Sequence, residues 1–161
     1  QGPVALAAQL GISRSQANDF IENYFRRFQG VARYLEEMKE LARTQGYVET
    51  LLGRRRYIPE IRARNPGMRG FGERTATNSP IQGTAADLIK LAMVRLHERL
   101  AGTSSRMLLQ VHDELLFEAP TADAASIGAL VREEMEEAIE LNVPLRVDLG
   151  TGASWYESKG G

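Results

Sequence analysis

Residues Arg106-Met-Leu-Leu-Gln-Val-His-Asp-Glu-Leu-Leu-Phe-Glu118 set a polar tripeptide between two short apolar runs. Runs of four or five residues bounded by charged or turn-forming residues are too short for helices and read as strands. The segment is therefore expected to form a β-hairpin whose tip projects His112, Asp113 and Glu114. A carboxylate held on a rigid hairpin is a good hard-oxygen ligand for Mg²⁺. The bland alternative is an inert solvated turn, since Asp is at home in turns. Whichever holds, a chain with this hairpin cannot be all helix.

Composition narrows the rest. The 161 residues fit one domain or a large piece of a bigger one, and an apolar fraction of 43% allows a real core. The absence of cysteine excludes disulfides and thiolate metal sites, and two histidines make a His-rich zinc site a poor candidate. No apolar run approaches the length of a membrane span. The opening Gln1-Gly-Pro-Val-Ala has no Met and no basic n-region, so it reads as a cut inside a longer chain rather than a signal peptide. Net charge is −1 but lopsided: seven arginines lie between 54 and 74, while nine acids and one base lie between 113 and 140. That asymmetry suits a polyanion approaching one face, or simply two solvated faces.

Along the chain, Ser13 and Gln16 form a capping-box pattern. Phe20, Ile21, Tyr24, Phe25 and Phe28 then recur at helical spacing, a stripe expected to face the core. Gly30 should break or bend this run. A second helix should follow with Val31, Tyr34, Leu35, Met38 and Leu41 on one side, closing at Gly46. Residues 47–58 pattern as a hairpin turning at Gly53, and 59–70 as a loop. A helix over 71–79 should be interrupted at Pro80 and Gly83, and a firmer one should run over 84–100. After the central hairpin, 121–142 should be an acidic amphipathic helix, with Ile127, Leu130, Val131, Met135, Ala138 and Ile139 inward. Leu145, Val147 and Leu149 alternate as a closing strand. The expected class is α+β: an antiparallel sheet backed by helices on one face.

Arg74, Asn78 and Gln82 stand at i, i+4 and i+8, and would share a helix face if the helix continued through Pro80. Their amides and guanidinium can donate to purine N3 and pyrimidine O2, the acceptors every base pair shows in the DNA minor groove. Such a face would test base-pair shape while ignoring sequence. Three polar residues on a wet helix are the ordinary alternative.

Three blocks together resemble the family A (bacterial DNA polymerase I-like) DNA polymerases. They are Gly46-Tyr-Val-Glu-Thr-Leu-Leu-Gly-Arg-Arg-Arg-Tyr-Ile-Pro59, Glu73-Arg-Thr-Ala-Thr-Asn-Ser-Pro-Ile-Gln-Gly-Thr-Ala-Ala-Asp87, and Gln110-Val-His-Asp-Glu114, which is similar to the family's motif C. The resemblance implies a partial polymerase domain with a palm-type sheet, residues 1–46 leading from the end of the fingers into the palm and 47–161 forming palm. It implies that Asp113 ligates two catalytic Mg²⁺ ions, that His112 lies by the primer terminus, and that Glu114 is an auxiliary acid. Arg74, Asn78 and Gln82 would follow the minor groove of the primer–template, and Arg54, Arg55 and Arg56 would meet phosphates. The implied partners are primer–template DNA, deoxynucleoside triphosphates and the upstream remainder of a polymerase, with no membrane, in the bacterial cytoplasm near the nucleoid.

The family's motif A aspartate and its nucleotide-gripping fingers helix are not in this sequence. The reading is therefore a C-terminal portion of a DNA-directed DNA polymerase, inactive alone. The alternatives are a non-catalytic primer–template duplex-binding chain or subunit that completes a split polymerase, and a repurposed interaction protein.

Overall fold

The computed structural model describes residues 2–159. Its elements are helices α1 (Pro3–Leu10), α2 (Arg14–Arg27) and α3 (Gln29–Gln45), strands β1 (Tyr47–Glu49) and β2 (Arg55–Tyr57), and a 3₁₀ turn at Pro59–Arg62. Helix α4 (Pro66–Leu100), strands β3 (Arg106–Val111) and β4 (Glu114–Glu118), and helices α5 (Ala124–Glu136) and α6 (Trp155–Ser158) follow. The α+β class holds. The strands form two separate antiparallel hairpins, β1–β2 and β3–β4. The chain divides into two compact units, Gln1–Ile81 and Gln82–Gly161, and α4 runs from the first into the second.

In the first unit, local rules account for most boundaries. Ser13 Oγ accepts from the Gln16 amide at 3.2 Å, and Gln16 Oε1 accepts from the Ser13 amide at 2.9 Å, completing the capping box. Gly46, at φ 86°, closes α3 in the left-handed conformation that glycine adopts most cheaply. The break between α2 and α3 falls at Phe28, and Gly30 sits inside the first turn of α3. Gly53 turns the β1–β2 hairpin, which pairs Tyr47 with Tyr57 and Glu49 with Arg55. Ala42, Val48, Ile58, Ile61 and Ala76 make the buried cluster; each fully buried Val or Ile contributes roughly 1.5–3 kcal/mol.

Four expectations need correction here. The aromatic stripe is only partly covered: Phe20, Tyr24 and Phe28 are 58%, 44% and 49% exposed, while Ile21 and Phe25 are half-buried. Periodicity marks an apolar face but does not say how much of it is covered. Val31 and Leu41 of α3 are likewise exposed, and the residue that helix buries is Ala42. The second half of the supposed 59–70 loop starts α4. Asn65 Oδ1 accepts from the amides of Gly67 at 2.9 Å and Met68 at 3.1 Å, an N-cap with Pro66 at the first helical position. Pro66 starts the helix because its missing N–H is one of the donors left unpaired there anyway. Pro80 and Gly83 do not end α4.

The second unit gathers Ala92, Leu96, Val131 and Ala138, with Leu88, Leu115, Phe117, Ile127, Leu130 and Met135 packed against them. Helix α5 is shorter than the pattern suggested, ending at Glu136. Glu133, Glu134, Glu136 and Glu137 crowd its C-terminus, where the helix dipole disfavours anions. Arg95 compensates by donating to the Glu137 carbonyl at 3.0 Å. Residues 145–149 form no strand. At Val147 the amide is taken by Glu136 Oε1 (2.8 Å) and the carbonyl by Arg132 Nε (3.2 Å), so α5 side chains replace a ladder. Among the described residues no helix is long and apolar enough to cross a membrane.

Candidate functional site

The central hairpin is present with a two-residue loop. Val111 pairs with Glu114, so only His112 and Asp113 stand at the tip, and Glu114, expected there with them, instead opens β4 because the ladder closes one residue earlier. His112 has φ 54°, the one positive value at a non-glycine among the described residues. Positive φ at the first central residue belongs to hairpin turns that normally favour glycine there, so an imidazole is held at a conformational cost. Gln110 steadies the turn by donating its side-chain amide to the His112 carbonyl at 3.0 Å. At the open end, Arg106 and Glu118 form an ion pair at 2.6 Å. A register shift between Met107 and Leu109 leaves Leu108 as an extra residue, a bulge of the sort that re-aims strands beside functional sites.

His112, Asp113 and Glu114 are all exposed. Glu114 is paired: its carboxylate lies 2.9 Å from Lys159 Nζ. Asp113 makes no ion pair or side-chain hydrogen bond with a described residue. Its carboxylate is the free hard-oxygen donor at the tip, which fits a site that offers one carboxylate to Mg²⁺ and leaves other positions to water and substrate phosphates. Among the described residues no three acidic, His or Cys side chains converge to hold a metal by themselves.

The polar helix residues divide between the units. Arg74 and Asn78 lie one turn apart and exposed on α4 in the first unit; Gln82 is exposed where α4 enters the second. The arginine-rich segment is not uniform. Arg54, Arg55 and Arg56 are exposed on the β1–β2 hairpin, but Arg55 donates to Glu49 at 2.9 Å and lies 4.6 Å over the Tyr47 ring. The Glu49 hydrogen bond raises the Arg55 pKa further above its ordinary value. Arg62 is structural: it donates to the Arg43 carbonyl at 3.0 and 2.7 Å and to the Thr44 carbonyl at 3.0 Å. Those are carbonyls of the last turn of α3, which need an outside donor. Glu73 receives Arg43 at 2.9 Å, tying α3 to the first turns of α4.

Sequence reasoning missed Lys159, Arg62 and Glu73 as organising residues. Only Lys159 carried a local signal, an aromatic–cation spacing of i, i+4 from Trp155; the ammonium lies 5.0 Å over that ring.

Comparison with known proteins agrees with the three blocks. The sequence profile of DNA polymerase family A matches residues 1–157. DNA polymerase I of Lactococcus lactis subsp. cremoris is 53% identical over 156 residues, which is 96% of this chain and 18% of that protein. The DNA polymerase I of Bacillus caldotenax is 52% identical with the same coverage. The thermostable DNA polymerase I of Thermus caldophilus is 52% identical over 96% of this chain and 19% of its own length. The chain thus spans less than a fifth of these relatives. The POL domain of Pol1 from M. smegmatis, in complex with DNA primer-template and dNTP, superposes with a TM-score of 0.93 at 48% identity, over 98% of this chain and 28% of that one.

Proposed function

We propose, because this chain belongs to DNA polymerase family A, that it supplies the metal-ligating hairpin and the duplex-tracking helix of a DNA-directed DNA polymerase. The observation that carries this is the Asp113 carboxylate, exposed at the tip of a two-residue turn and paired with no described residue. On this reading residues 1–46 lead from the fingers into the palm, and 47–161 are palm.

Family A polymerases work with divalent metal, and Mg²⁺ is the ion proposed for Asp113. When bound, two such ions supply activation of the primer 3′-hydroxyl and stabilisation of the leaving pyrophosphate. The chain's own residues set the stage. Asp113 presents its oxygens, and the strained His112 turn fixes their direction. His112 projects beside them toward the primer terminus, and Glu114 stands next in line as the auxiliary acid. Arg74, Asn78 and Gln82 donate to minor-groove acceptors common to all base pairs, so they report pairing geometry rather than sequence. Arg54, Arg55 and Arg56 meet duplex phosphates, and Arg55 must share its guanidinium with Glu49 to do so.

Alone, the chain is inert in synthesis. One uncompensated carboxylate does not position two doubly charged ions for in-line attack, and the opposing ligand belongs to the upstream remainder. The exposed Phe20–Tyr24–Phe28 face supports that partner, since solvent is a poor neighbour for three aromatic rings in register.

The test is primer extension by this chain with Mg²⁺ and all four deoxynucleotides, beside an Asp113→Ala control, with duplex binding followed across salt. The expected result is no product from either, and binding that falls steeply with salt and weakens in Gln82→Ala. Product that vanishes in the control would show that the chain holds a complete metal site. Duplex binding without extension, restored to synthesis by adding an upstream polymerase fragment, would favour a natural subunit of a split enzyme. Binding indifferent to salt sinks the nucleic-acid reading.

A further inference from the structure

The proposed metal hairpin has a second cation beside it that belongs to the protein. Lys159 Nζ lies 2.9 Å from Glu114 Oε2, with both side chains about half exposed at 51% and 50%. An ion pair this wet contributes little stability. Its consequence lies in where the Glu114 carboxylate points and what charge it shows.

The turn that delivers Lys159 is built with care. Ser154 Oγ caps α6 by accepting from the Glu157 amide at 3.3 Å, and Glu157 Oε2 accepts from the Ala153 amide at 3.0 Å. Ser158 Oγ donates to the Trp155 carbonyl at 2.8 Å. The segment before it folds back closely: a Cβ on Gly152 would lie 2.7 Å from Glu157 Cβ and from the Ser158 amide. The ammonium is held from two sides, 5.0 Å over the Trp155 ring and against Glu114. Glu114 is consequently engaged, while the adjacent Asp113 is engaged by no described residue.

We propose that Lys159 is a positioning residue: it occupies the Glu114 carboxylate so that Asp113 alone is offered to a divalent cation. The C-terminal turn thereby sets the hairpin's metal affinity. The inference rests on Asp113 being a metal ligand. It adds that Glu114 is withheld from the ion by an internal counter-ion, and that α6 governs this withholding.

Trp155 is the sole tryptophan, so its emission reports whether Lys159 sits over the ring. Two measurements on the full 161-residue chain test the proposal. The first is Trp155 emission without metal in the unaltered chain, Lys159→Met, Glu114→Gln and the double variant. Both single substitutions are expected to shift emission in the same sense, and the double variant no further than Lys159→Met. Unchanged emission in Glu114→Gln overturns the proposal whatever the metal does.

The second is Mn²⁺ binding, read from the loss of the free-ion resonance. Lys159→Met is expected to tighten binding by roughly two- to fivefold, because withholding Glu114 is worth no more than the exposed ion pair that does it. In the Glu114→Gln background that gain should disappear. A gain that persists there would mean Lys159 acts only through its charge, and the positioning role falls. No Mn²⁺ binding by any variant would remove the metal role of Asp113, and with it this inference; a lack of coupling between Lys159 and Glu114 removes the inference alone.

Discussion

Gly72 and Ile61 approach so closely that a Cβ on the glycine would lie 2.6 Å from the Ile61 amide nitrogen. The 3₁₀ turn therefore packs its backbone directly onto α4, and Ile61 reaches the buried cluster because nothing projects from position 72. In an ordinary helix interior, Gly→Ala stabilises by about 0.5–1 kcal/mol. Here Gly72→Ala is expected to destabilise by about 1–3 kcal/mol, as overpacked cores do. Urea unfolding decides it by the sign of the midpoint shift.

Arg62 serves the end of α3 rather than a nucleic acid. Its three hydrogen bonds to the Arg43 and Thr44 carbonyls occupy the guanidinium fork. Arg62→Gln is expected to lower stability by about 0.5–1.5 kcal/mol, the net worth of a modest hydrogen-bond loss at a wet site. The salt dependence of duplex binding should not change, whereas removing a phosphate contact lowers its slope by nearly one. Binding isotherms at three salt concentrations separate the two roles.

His112 carries a backbone conformation that L-residues avoid. His already carries the Cβ penalty of this region, but a β-branched side chain tolerates it less well, so His112→Val is expected to lower the melting temperature. His112→Gly should leave the melting temperature unchanged or higher, because strain relief offsets glycine's extra unfolded-state freedom. Equal losses in both variants would mean that the imidazole itself, not φ, holds the turn.

Tyr34 gives a pH signature. Burial pushes its phenol above the ordinary 10.0, and the hydroxyl donates to the Thr77 carbonyl at a long 3.5 Å. The folded state thus holds this proton more tightly than the unfolded state. The corresponding stability is complete below pH 10 and declines as pH rises through the folded-state value. Tyr34→Phe should flatten the fall in melting temperature on the alkaline side of pH 10.

Elements with complete local instructions were legible. The Ser13–Gln16 box, the Gly46 stop, the Gly53 hairpin and the central hairpin, though not its two-residue tip, each need only neighbours within a few residues. The three motif blocks were legible for a different reason: chemistry restricts residue type at fixed spacing. Signals whose meaning changes with position are not legible locally. Pro66 and Pro80 are the same residue, yet one begins α4 and the other is carried inside it, and the outcome depends on Asn65 and on the surrounding helix.

By itself the sequence determined the class of fold, the hairpin that bears Asp113, and the family to which the chain belongs. Tertiary structure alone decided which apolar faces are covered, and it left Phe20, Tyr24 and Phe28 in solvent. It also sent residues 145–149 to α5 instead of a sheet, and set Lys159 on Glu114 across an interval of 45 residues. The physical reason is reach. Caps, turns and strand alternation are energies of neighbouring residues and are written locally. Burial, and the pairing of a charge with its partner, depend on which distant segment arrives at the same place.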